Sequence, residues 1–448
     1  MSKTPIFDFV STYAKEEALR LHMPGHKGKG PLGVEAFDIT EIEGADVLYS
    51  ADGIIKESER IASEIFGSAM TVYSAEGSSL SIRAMVYLVA ILARQQGKRP
   101  IIAAGRNAHR AFLSAAALSD VETVSLYPEN ATTLVSCELT AEGIDRFLSE
   151  CNVLPTAVYL TSPDYLGNIT DVRGIAEVCH RRGVLLLVDN AHGAYLRFLP
   201  EDKHPISLGA DLVCDSAHKT LPVLTGGAYL HVGKTAPALF SELAEEALTL
   251  FASTSPSYLI LSSLDLANGY VTDGFGARLD EFVRLADAMK QRLCAHGFTL
   301  VGDEPMKLSI ASKEWGYYGT ELAALLEKQG IVCEFSDPDF AVMMLSCELG
   351  RSTLTRIENA LLSIEKRDRI DETMPRLPRP VRAMTVREAM FSPSVLVSAE
   401  EAEGKIFASA AIGCPPAISP ITSGEVIDAD TVRVLGYYGI DSVRVVKL

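Results

Sequence analysis

The sequence predicts an α/β protein: a mostly parallel sheet flanked by helices, joined to a smaller α+β domain. Three observations predict this. Short apolar, β-branched runs alternate with helix-period segments through the first half of the chain, as in strands that cross over through helices. Several of these runs are apolar on both faces, as strands covered on two sides must be. From about Tyr258 the alternation gives way to a long helical stretch, and "FTLVGDEPMKLSIAS" and "IVCEFSDPDFAVMMLS" come after it.

In chain order the expected strands are "TVYS" (71–74), "PIIAAG" (100–105), "TAVYLTSP" (156–163), "VLLLVDN" (184–190), "DLVCDS" (211–216) and "GAYLHV" (227–232). Helices are expected at "SLSIRAMVYLVAILARQQG" (79–97) and "DVRGIAEVCHRRG" (171–183), each stopping at a glycine. The Pro- and Arg-rich segment "RIDETMPRLPRPVRAM" reads as a linker. These features divide the chain into an N-terminal arm (1–30), a large domain (31–285), a small α+β domain (286–380) and a C-terminal module (381–448).

Composition limits the function. With 448 residues, 48% hydrophobic and 22% charged, this is the composition of a soluble globular protein with room for large cores. A net charge of −17 speaks against nucleic-acid partners and anionic membrane surfaces. The N-terminus lacks the basic-then-apolar plan of a signal peptide, so a cytoplasmic location is expected. Eight cysteines without a C-x-x-C pair suggest neither a disulfide framework nor a metal site, and they read as small buried hydrophobes.

Four elements carry chemistry. In "YSAEGSSLSIRAM", Gly77 permits a tight turn, and Ser78 and Ser79 open a helix whose free N–H groups attract a phosphate. In "VLLLVDNAHGAY", Asp189 ends a strand, where ligands of open α/β sheets bind, and His192 comes three residues later. His109 lies just past another strand end, in "GRNAHRAF". In "CDSAHKTLPVLTGGAYLHVG", Lys219 stands among Ser216, His218 and Thr220, ahead of two glycines. A phosphate cradle, a strand-end carboxylate, a stackable imidazole and a flanked lysine are the parts that hold pyridoxal phosphate covalently. Lys219 would carry it, with Ser216 and His218 at the phosphate. Asp189 would hold the pyridine nitrogen's proton and His109 would stack on the ring.

The same residues carry a resemblance over nearly the whole chain. The segments "LHMPGHKGKG" (21–30), "FDITEIEGADVLYSADGIIKESERIASEIFG" (37–67), "GRNAHRA" (105–111), "LTSPDYLGNITD" (160–171), "VDNAHGAY" (188–195), "DSAHKTLPVLTGGAYLHV" (215–232) and "STSPSYLILSSLD" (253–265) resemble the Orn/Lys/Arg decarboxylase family in a short form. That resemblance implies a pyridoxal-phosphate enzyme of fold type I that removes the α-carboxylate of arginine, lysine or ornithine. It also implies a homodimer or larger homo-oligomer with shared active sites, in which Ser255 reaches the neighbouring subunit's phosphate. Where the family usually has a "YPPGIP" block, this chain reads "CPPAISP", with Cys414 and Ala417, and then "TSGE" ending in Glu425. Cys414 and Glu425 are therefore the candidate substrate-contacting residues, Glu425 as partner for a distal cation.

Reaction type can also be read from the residues. In transaminases of this fold an arginine of the small domain grips the α-carboxylate, and the corresponding strand here reads "AVMMLSCELG", with Met343 and Met344. A carboxylate that leaves as CO2 is better held in an apolar slot than in an ion pair. The alternatives are another fold type I enzyme, such as an aminotransferase or lyase, and an inactive homologue that regulates a decarboxylase.

Overall fold

The computed structural model describes residues 4–129, 133–410 and 418–447. The chain divides into two compact units that interleave in sequence, residues 1–102, 141–160 and 171–276 in one and 103–140, 161–170 and 277–448 in the other.

Seven strands form the main sheet: β1 (Met70–Ser74), β2 (Ile101–Gly105), β3 (Glu122–Leu126), β4 (Ala157–Thr161), β5 (Leu185–Asp189), β6 (Leu212–Asp215) and β7 (Ala228–Val232). Their order is β1-β7-β6-β5-β4-β2-β3. The sheet is mostly parallel, β5 running parallel to β6, but β7 is antiparallel to both β6 and β1. Most positions of β5, β6 and β7 are buried, which is why these strands read as continuous apolar runs. β3, "ETVSL", was not expected from the sequence: its alternation is short and carries Glu122 and Ser125.

Helix Ser78–Gln95 comes after β1 and buries Leu80, Ala84, Leu88 and further residues of its inner face. Helix Val172–Arg181 starts where the Asp171 side chain accepts from the Gly174 N–H. The single long helix expected after Tyr258 is instead two, Tyr258–Thr272 and Phe275–His296. The break falls at Asp273 and Gly274, whose φ of +66° is left-handed and ends the first helix.

The second unit carries a four-stranded sheet of β8 (Leu300–Val301), β9 (Lys307–Ala311), β10 (Phe335–Ser336) and β11 (Phe340–Met344), in the order β10-β11-β9-β8. Near its end β12 (Ser394–Ser398) pairs antiparallel with β13 (Ser442–Val446), over a cluster that includes Phe407, Ile421, Ile427 and Leu435. The reading of every cysteine as buried is corrected here: Cys137, Cys179 and Cys214 are, but Cys294 faces solvent on the outer side of its helix. Among the described residues no helix is long and apolar enough to cross a membrane.

Candidate functional site

β5 and β6 lie side by side, with Asp189 opposite Cys214 in register. Their carboxyl ends therefore deliver Asp189, Asn190 and His192 from one strand and Ser216, His218 and Lys219 from the other. Lys219 sits in the short helical turn Ala217–Thr220, and its Nζ lies 3.1 Å from Nε2 of the buried His192. An imidazole at that distance can accept the proton that the ammonium must lose before the amine becomes a nucleophile.

Asp189 is buried, 2% exposed. It accepts from the Tyr159 hydroxyl at 3.1 Å, the Ala191 N–H at 3.3 Å and the Cys214 thiol at 3.5 Å. All three donors are neutral, and among the described residues no cationic side chain pairs with it. A buried carboxylate in that state is suited to a cationic ligand group such as a pyridinium N–H. The same carboxylate and Asp215 keep the Cys214 thiol protonated, burial being the larger cause.

The phosphate cradle is built from two segments. Gly77, at φ +74°, caps helix Ser78–Gln95, and its N–H donates to the Gly226 carbonyl at 2.7 Å. Gly226 has φ +100°, and a Cβ there would meet the Ala75 carbonyl oxygen at 3.0 Å, so the approach of the two loops requires glycine. Ser216 Oγ donates to Ser78 Oγ at 2.8 Å, leaving the Ser78 hydroxyl proton to point at a further acceptor. Thr220, beside Lys219, has a buried hydroxyl with no hydrogen-bond partner among the described residues. A helix N-terminus, paired serine hydroxyls and an orphaned threonine hydroxyl fit the donor set that a phosphate takes up.

His218 turns away from a direct partnership with Lys219. Its Nδ1 donates to the Gly227 carbonyl at 2.9 Å, and its backbone N–H reaches the same oxygen at 3.2 Å. Burial, and less so the charge of Lys219, hold its imidazole below the ordinary histidine range. It fastens the glycine loop to the lysine turn. Ser79 is half-buried in the first turn of its helix. Ser255 is exposed; two residues before it, the Ser253 N–H donates to Glu76 Oε1 at 2.6 Å, tying that segment to the loop before Gly77.

His109 lies in the second unit, at the cap of helix Arg110–Ser119, where its Nδ1 accepts from the Ala111 N–H at 3.2 Å. Glu425, in the same unit, is 3% exposed. It accepts from the Thr422 N–H at 2.8 Å and pairs with Arg382 at 3.3 Å and Arg106 at 3.4 Å. Met343 is buried in β11 opposite Leu308, whereas Met344 is half-buried. Cys414 and Ala417 fall outside the described residues.

Sequence reasoning missed the partners of Asp189, Tyr159 and Cys214. It also missed Asp215, which accepts from His204 and His231. A histidine inside the apolar run "GAYLHV" was the available signal, since a buried imidazole must find a partner.

Known proteins are similar to this chain in sequence and in fold. Residues 4–302 match the family model described as Orn/Lys/Arg decarboxylase, major domain. The uncharacterized protein YaaO of Bacillus subtilis (strain 168) is 29% identical over 96% of this chain and 93% of its own length. An arginine decarboxylase of the same organism is 29% identical over 97% of this chain and 93% of its own length. Among solved structures, the Francisella novicida lysine decarboxylase LdcF superposes with a TM-score of 0.80 at 17% identity, covering 99% of this chain and 81% of that one.

Proposed function

The chain belongs to the Orn/Lys/Arg decarboxylase family and is a pyridoxal-phosphate-dependent amino acid decarboxylase, and from that premise we propose that it converts a basic amino acid to its amine and CO2. The observation that carries the proposal is the pairing of Lys219 with His192 at 3.1 Å, on a turn whose Ser216 is bonded to Ser78 at a helix N-terminus. Arginine is the first substrate to test, because relatives named arginine decarboxylase match this chain over nearly its full length.

When bound, pyridoxal phosphate supplies an electron sink for the pair left behind as CO2 departs. The chain's residues do the rest. His192 takes the proton that frees the Lys219 amine. The paired hydroxyls of Ser78 and Ser216 and the N–H groups that open helix Ser78–Gln95 hold the phosphate. Asp189, short of a cation, keeps the ring nitrogen protonated. The stacking role of His109 is carried over from the "GRNAHRA" motif, and that of Ser255 at a partner subunit's phosphate from "SPSYL". Glu425 carries less of the substrate assignment than its place after "CPPAISP" suggested, because two guanidinium groups already neutralise it.

The test is direct. The purified protein, reconstituted with cofactor, is given L-arginine, L-lysine, L-ornithine and an uncharged amino acid in parallel, and released amine and CO2 are quantified. Stoichiometric amine and CO2 from one of the three cationic substrates is the expected result. A keto acid in place of CO2 favours transamination, and preference for the uncharged substrate removes the basic-substrate assignment.

A further inference from the structure

Asp215 is the last residue of β6, one before Ser216 and four before Lys219. Its side chain, like those of His204 and His231, is fully buried. Oδ2 accepts from His204 Nε2 at 2.9 Å and from His231 Nε2 at 3.2 Å. Oδ1 accepts from Asn190 Nδ2 at 2.7 Å, and Asn190 is the residue directly after Asp189. The Asn190 N–H also donates to the Cys214 carbonyl at 2.9 Å. One carboxylate thus joins the end of β5, which carries Asp189 and His192, to the end of β6, which leads to Ser216 and Lys219.

The surroundings fix the tautomer of His204. His204 Nδ1 accepts from the Ile206 N–H at 3.3 Å, so its proton is on Nε2, toward Asp215. His231 Nδ1 lies 2.8 Å from the Thr71 hydroxyl, which lies 2.8 Å from that of Ser68. Phe66 packs on both imidazoles, with ring centroids at 5.3 and 4.6 Å. Burial opposes ionisation of Asp215, yet the two imidazoles hold its carboxyl well below the usual range. Burial likewise holds the His231 imidazole below the ordinary histidine range. The result is an anion held by three N–H donors at fixed positions.

We propose that Asp215, held by His204 and His231, is a positioning residue that sets the spacing of the two strand ends on which Lys219, His192 and Asp189 meet the cofactor. This inference rests on the functional reading above. Asp215 itself need touch neither cofactor nor substrate, since the turn from Ser216 to Lys219 starts at its backbone. A displacement of about 1 Å in such a support can cost about 100-fold in rate. The same three side chains offer ligand atoms within 4.8 Å of one another, as a metal site would. The His204 proton, however, occupies the nitrogen that a metal would need.

The experiment compares wild type with Asp215→Asn, His231→Gln and His231→Leu. Each apo-protein is titrated with pyridoxal phosphate by absorbance, and kcat, KM and metal content are measured. Asp215→Asn and His231→Leu should weaken cofactor binding about tenfold or more and lower kcat far more than they raise KM. His231→Gln, which keeps an N–H donor, should recover most of the loss. Wild-type affinity and turnover in a folded Asp215→Asn protein would overturn the inference, as would equal losses in the two His231 variants. If Asp215→Asn does not fold, the His231 pair decides. Stoichiometric metal in the purified wild type, removed by a chelator together with stability, would reassign the cluster as a metal site. A wild type that binds no pyridoxal phosphate refutes the functional reading itself, a result distinct from all of these.

Discussion

Nζ of Lys219 lies 3.1 Å from Nε2 of His192, so the one lysine of the β6 turn faces the imidazole just beyond β5. An amine attacks an aldehyde only when neutral, and the nearest base decides how readily it becomes so. Lys219→Ala should abolish the covalent, borohydride-reducible link to pyridoxal phosphate and the visible absorbance that accompanies it. Mass spectrometry of the reduced, digested protein checks this, with the label expected on the peptide containing Lys219. His192→Ala should keep the link but form it more slowly, which stopped-flow mixing of apo-protein with cofactor would resolve.

Asp189 has three neutral donors and no cationic partner among the described residues. Asp189→Asn keeps the volume and can still accept from Tyr159, so the fold should survive. Loss of a preorganised charge should lower kcat by about 100-fold or more, with some cofactor retained. Near-normal turnover would make Asp189 a turn residue only.

Much of this site was legible because strand ends announce themselves. "VLLLVD" and "DLVCDS" become β5 and β6 since runs so apolar must be covered on both sides, and the residues just past their carboxyl ends lie at the ligand-binding edge. The hidden part of the site depends on partners distant in sequence. Nothing near Glu425 announces Arg106, 319 residues away, and His231 is brought to Asp215 only by the pairing of β7 with β6. β3 was missed because five residues with two polar members give too little period to read. The helix break at Gly274 was missed because the apolar pattern continues on both sides of it.

Glu59 is buried in helix Ile54–Phe66. Its Oε1 accepts from the Tyr73 N–H at 2.9 Å, and its Oε2 has no partner among the described residues. Burial pushes its carboxyl up to about 8. A raised acid contributes its full stability below the unfolded value, near 4.5, and loses it as pH climbs to the folded value. Glu59→Gln, which mimics the protonated form, should therefore match wild type near pH 4. It should become progressively more stable up to about pH 8 and then level off, with a slope of roughly 1.4 kcal/mol per pH unit as an upper limit. Urea melts across that range check the sign, and a constant difference would show that Glu59 does not titrate on folding.

The proposed sharing of sites between subunits makes a simple demand. Ser255 is exposed in the isolated chain, although its neighbour Ser253 is anchored to Glu76. Sedimentation at micromolar concentration should show a dimer or larger assembly, and Ser255→Ala should weaken cofactor binding without changing the assembly. A fully active monomer would remove the role assigned to Ser255.

Glu425 separates a structural from a substrate role. Its carboxylate, 3% exposed, stands between Arg106 and Arg382 and accepts the Thr422 N–H. Among the described residues Nε and Nη1 of Arg106 lack partners, so removing the carboxylate's charge leaves that buried guanidinium still less compensated. Breaking a buried pair in this way costs on the order of 3–5 kcal/mol. Glu425→Gln should accordingly lower the melting temperature clearly, and Glu425→Gln combined with Arg106→Met, which removes both members, should recover part of the loss. The substrate role makes a different demand: KM for the cationic amino acid rising about 10- to 100-fold with kcat little changed, in protein that remains folded at the assay temperature. A lowered melting temperature with unchanged KM would leave Glu425 as the counter-charge of two arginines, and the partner of the substrate's distal cation would have to be sought among other carboxylates.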